Sequence, residues 1–158
     1  MFDATLSALE ASALGEGLRA SRYAYPLVNA AHILALATLF GSILALDLRL
    51  LGLWRSVPAA PLARVLPRVS AVGLAIAVLT GVALFSVQPF DYLAHPVFPV
   101  KLALIAFGAA NALLLHCAAG WRNVLAGDCA VPRRVRAAAA LSLLGWTGVI
   151  IAGRMLAF

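Results

Sequence analysis

Four stretches of this 158-residue chain are each long and apolar enough to cross a bilayer, and that constrains the fold more than any motif does. About 30 Å of hydrocarbon takes roughly 20 apolar residues at a helical rise of 1.5 Å per residue. The first stretch runs from about residue 26 to 53 and is interrupted only by His32 and, near its end, by Asp47 and Arg49. The second, about 69–87, carries no charge. The third, about 97–119, has Lys101 near its start, and the fourth, about 137–158, has Arg154 near its end. The expected fold is all-α: an integral-membrane four-helix bundle, up-down-up-down, forming one domain over residues 1–158.

Composition closes the alternatives. Hydrophobic residues make up 64% and charged residues 11%, against about 25% charged in a soluble domain. An ordinary soluble enzyme, a disordered tail and a disulfide mini-protein are all excluded. The net charge of +6 would suggest nucleic acid on a soluble protein. Here it marks cytoplasmic loops, and no nucleic-acid partner is expected. Pro58, Pro61 and Pro67 break the first connection, Pro89, Pro96 and Pro99 the second, and Gly127 and Pro132 the third. Residues 1–22 place Phe2, Leu6 and Leu9 at helical spacing among acidic residues. They read as a short amphipathic interfacial helix, with a frayed terminus as the alternative.

Charge asymmetry orients the chain. Arg49, Arg55, Arg64, Arg68, Arg122, Arg133, Arg134 and Arg136 share one face, eight of the twelve cationic residues. The positive-inside rule puts that face in the cytoplasm, with both termini periplasmic in a bacterial inner membrane. Cys117 and Cys129 then face the cytoplasm and are expected as free thiols. Small residues four apart mark helix-packing grooves: Ala37, Gly41 and Ala45; Gly73, Ala77 and Gly81; Gly108 and Ala112; Gly148 and Ala152. Partners expected on these grounds are the lipid bilayer and either a second copy or another membrane or periplasmic protein.

Ionisable residues inside a membrane are costly, so each is a functional candidate. His32 lies about 9 Å inside the outer end of its span by helical rise. Lys101 and Arg154 share that outer layer, as do Asp91, Tyr92, His95 and Met155, and Asn29 lies one turn before His32. His32 is a candidate haem ligand, with Lys101 and Arg154 holding two propionates and Asn29 beside them. The second axial ligand would be His95, Met155 or none. The same layer could instead hold copper through His32, His95 and Met155, or hold no cofactor at all. His116 sits roughly 15–20 Å away along the axis and cannot share a haem with His32. At the other end, Asp47 and Arg49 read as a structural ion pair, with Arg122 as another partner for Asp47. Trp146 reads as a packing residue. No nucleophile-and-base pair stands out, so hydrolysis is not expected.

Several of these residues recur in a familiar arrangement: Arg19-x-Ser21, Tyr25-Pro-Leu-Val-Asn-Ala-x-His32-Ile-Leu34, Gly41, Asp47-Leu-Arg-Leu-Leu-Gly52, Thr80-Gly81, Phe98-Pro-Val-Lys101, Asn111, Trp146 and Gly153-Arg154. Over nearly its whole length the chain resembles a family of small four-span bacterial inner-membrane proteins that has no assigned activity. More distantly, a His early in span one, a Gly late in span two and a Lys opening span three are similar to the copper-resistance D membrane proteins and the HemJ-type protoporphyrinogen oxidase. That second resemblance implies haem ligation by the residue at His32. The functional expectation is a protein that binds b-type haem and is redox-linked, with its site near the periplasmic face. The alternative is a non-redox accessory or transport subunit that handles copper or docks a partner.

Overall fold

The computed structural model describes residues 2–127 and 130–156. Among the described residues eight helices follow one another: α1 (Phe2–Glu10), α2 (Ala13–Ala20), α3 (Ala24–Leu51), α4 (Ala59–Phe85), α5 (Pro89–Ala94), α6 (Val97–Cys117), α7 (Ala119–Ala126) and α8 (Arg133–Met155). The described residues contain no strand. α3, α4, α6 and α8 are each long and apolar enough to span a membrane. The chain is an all-α four-helix membrane bundle.

The start of the second span differs most from the sequence reading, by ten residues, and the fourth begins at Arg133 rather than near residue 137. α4 begins at Ala59, with Pro58 as its N-cap and Pro67 inside it. Pro61 falls in the first turn, where the missing N–H has no intrahelical partner to lose. Pro67 leaves one carbonyl of the preceding turn unbonded, and its own carbonyl accepts the Ser70 hydroxyl at 2.9 Å. Prolines are therefore poor stop signals in this chain. α3 ends as its sequence directs: Gly52 takes φ +112°, and Leu53 N–H bonds Leu48 C=O at 3.0 Å. The last residue of Asp47-Leu-Arg-Leu-Leu-Gly52 is thus a left-handed helix cap, the conformation glycine adopts at no steric cost.

The N-terminal segment forms two helices rather than one. Ser12 caps α2 by accepting Gly15 N–H at 3.2 Å. A Cβ at Gly15 would lie 2.7 Å from Glu10 O and 2.9 Å from Ser86 O, so glycine lets α2 press against α1 and the end of α4. Arg19 fastens the pair by donating to Val87 O at 2.8 Å and to Glu10 O. Leu6 and Leu18 are buried there.

The long helices pack in the order α4, α3, α8, α6. Sequence neighbours are spatial neighbours in the first and last pairs, but α4 and α6 are not packed along their lengths and meet through rings at one end. A Cβ at Gly73 would lie 2.7 Å from Leu39 N, and one at Gly108 would lie 2.8 Å from Trp146 Cε2. These glycines permit the α3–α4 and α6–α8 approaches expected of membrane helices. The small-residue stripe expected on the first span is not the packed one, since Gly41 faces open space. The buried face of α3 carries Ala35, Leu39, Ser42, Leu46 and Leu50 instead. One apolar cluster, built on Leu50, Trp121, Val124, Val135 and Ala139, closes the arginine-rich end. A second, built on Leu39, Trp146 and Val149, lies at mid-height.

Candidate functional site

Because α4 and α6 stand apart, the space between them, floored by α3 and α8, holds two cavities one above the other. The one nearer the termini has a volume of about 450 Å³, the other about 440 Å³. The Leu39–Trp146–Val149 layer separates their levels.

The first cavity brings together His32, Lys101, Arg154 and Asn29, the four residues singled out in the sequence as a cofactor set. Gly81 faces His32 from α4, where a Cβ would come within 3.4 Å of its Cε1. His32 Nδ1 lies 2.8 Å from Thr80 Oγ1. That hydroxyl has one hydrogen and lies 2.7 Å from Ile76 O and 3.3 Å from Ala77 O, so the helix carbonyls take it. Thr80 therefore accepts from His32 Nδ1–H, which leaves Nε2 with a free lone pair. The tautomer is assigned from this network. Lys101 lies against the α8 backbone, its Nζ 3.6 Å from where a Gly153 Cβ would be. Among the described residues no Asp or Glu lines this cavity, and Lys101 and Arg154 both stand in its wall.

Aromatic rings bridge the gap at this end. Phe85 stacks on Phe98 with centroids 5.5 Å apart, and Tyr92 stands 5.9 Å from Phe85 and 6.0 Å from Phe98. Burial raises the Tyr92 phenol above its ordinary value, and Tyr25, its hydrogen-bond partner, raises it further. Tyr92 is therefore protonated at neutral pH. Sequence reasoning placed Tyr92 in the outer layer and Tyr25, Thr80 and Phe98 in the shared motif, but gave none of them a part in the site. A threonine or a phenylalanine in a span is ordinary, and only the rotation of α4 against α3 aims Thr80 at His32.

His95 and Met155 do not line the cavity. His95 Nδ1 accepts Val97 N–H at 3.2 Å at the turn into α6, and Met155 is exposed. The three residues proposed for copper thus do not meet in this cavity. Among the described residues, no group of three or more His, Cys, Asp or Glu side chains could hold a metal ion.

The second cavity holds Asp47 and His116, so the two histidines lie at separate levels. The expected Asp47–Arg49 ion pair is not formed. Residues two apart on a helix point away from each other, and Arg49 instead donates to Val57 O at 2.5 Å. Asp47 is only 5% exposed. The Ser142 side chain hydrogen-bonds its carboxyl group, and Oδ2 has no hydrogen-bond partner. Cys117 is a free, exposed thiol. Cys129 lies outside the described residues. Trp146 is buried against Gly108, in the packing role its sequence position suggests.

Comparison with family models, curated proteins and solved structures finds no match to this chain.

Proposed function

We propose that the cavity nearer the termini binds haem b, which His32 would hold through Nε2. The observation that carries this reading is the pairing of a free imidazole nitrogen with two cationic side chains in the wall of one cavity. Thr80 holds the ring and its tautomer, the second-sphere role that orients a metal-ligating histidine. Lys101 and Arg154 supply charge-assisted hydrogen bonds to propionates, and Asn29 adds a polar group at the same wall. The Phe85–Tyr92–Phe98 bridge offers aromatic surface to a flat apolar ring. A bound haem would supply one-electron chemistry in the membrane. Among the described residues, His32 is the one histidine or methionine that lines the cavity, and a single-histidine haem spectrum is expected.

The arginine-rich end is read as cytoplasmic under the positive-inside rule. On that reading the cavity lies in the periplasmic half of a bacterial inner membrane, with both termini periplasmic. The copper reading has less support, because its other two ligands stand outside the cavity.

The test is an absorption spectrum of the full chain purified in mild detergent, oxidised and reduced. A Soret band is expected in the wild type and lost in His32→Ala. A colourless wild-type protein that also fails to take up added haemin would sink the proposal.

A further inference from the structure

We propose that the second cavity is a binding site for an apolar organic ammonium ion, with Asp47 as its counter-charge. This is independent of the haem reading, since the two cavities have separate walls. Asp47 stands in the wall of a cavity of about 440 Å³, is 5% exposed, and has one oxygen with no hydrogen-bond partner. Neither protonation state lets the chain satisfy that oxygen. As a carboxylate it is a buried acceptor without a donor, and as an acid it is a buried O–H without an acceptor. Buried polar groups left in this condition are rare and costly. Among the described residues, no Lys or Arg lines the cavity to balance the charge.

The other polar groups in the wall point to the same ligand chemistry. Ser70 donates its hydroxyl hydrogen to Pro67 O at 2.9 Å, and His116 Nδ1–H donates to Ala112 O at 2.6 Å. Asn111 donates one amide hydrogen to Ala138 O at 3.0 Å. What Ser70, His116 and Asn111 have left is mostly lone pairs: Oγ, Nε2 and Oδ1. A cavity rich in acceptors with one carboxyl group calls for a ligand that donates hydrogen bonds and carries one positive charge. The remaining wall is apolar, with Leu39, Ile43 and Leu74 on it and the indoles of Trp121 and Trp146 beside them. Such walls suit a hydrocarbon body, and indole faces attract cations. Among the described residues, no group of three or more His, Cys, Asp or Glu stands here to hold a metal ion.

Calorimetric titration of the detergent-solubilised full chain with phenethylammonium tests the site, with phenethyl alcohol as the uncharged counterpart. Saturable binding of the ammonium is expected, at least tenfold tighter than any binding of the alcohol. Asp47→Asn, nearly equal in shape, should weaken ammonium binding at least tenfold, while His32→Ala leaves it unchanged. If Asp47→Asn does not fold, the two ligands on wild-type protein still decide the matter. Equal affinity for the alcohol and the ammonium, unchanged binding in a folded Asp47→Asn, or no saturable binding would each overturn the proposal.

Discussion

Thr80 shows how much of the site depends on a residue without charge. Its hydroxyl is saturated on the donor side by its own helix, so it can only accept from His32. Thr80→Val keeps the shape and removes the acceptor. Haem affinity is expected to fall about 10- to 100-fold, the usual cost of losing a metal ligand's hydrogen-bond partner, whereas Thr80→Ser should retain it. A haemin titration followed at the Soret band reads both. Glycine gives a second test at this scale. Gly108→Ala would put a Cβ 2.8 Å from the Trp146 ring. It is expected to cost about 1–3 kcal/mol by overpacking, measured by reversible unfolding in mixed micelles. Gly41→Ala meets nothing within 4 Å and should leave packing intact. His32, Lys101 and Arg154 were legible in the sequence because ionisable groups are expensive in lipid. Thr80 was not, because a threonine can satisfy its hydroxyl within its own helix.

At the scale of elements, the four spans were legible because an apolar run of about 20 residues has few other uses. Their ends were less so. Pro61 and Pro67 mark breaks in a sequence reading, yet they lie inside α4, one in the first turn and one in the interior. The short helices α5 and α7 occupy connections that a hydropathy reading leaves as loops. α7 matters for stability: Trp121 is buried in the cluster that closes the arginine-rich end, with its ring 4.7 Å from that of His116. Trp121→Ala is expected to destabilise the fold by about 3–5 kcal/mol, the range for deleting a buried large aromatic. An equal unfolding midpoint in variant and wild type would show that α7 is not part of the core.

At the scale of the molecule, one departure from a closed bundle creates both candidate sites. Up-down-up-down connectivity by itself would place the second and third spans side by side. Here α4 and α6 stand apart, and the gap between them opens into two cavities. Lys101 and Arg154 stand in the wall of one and Asp47 in the wall of the other. Hydropathy and small-residue stripes could not show this, because they report which residues face helices and not which helix they face. Orientation is testable through Cys117, which is exposed at the arginine-rich end of α6. In a Cys129→Ser background, a membrane-impermeant maleimide should label it in inside-out vesicles and not in intact cells. The central claim, that His32 holds a haem through Nε2, is tested most directly by resonance Raman spectroscopy of the ferrous protein. An iron–histidine stretching band is expected in the wild type, absent in His32→Gly and restored there by added imidazole. A haem whose spectrum is six-coordinate and unchanged by His32→Gly would contradict it.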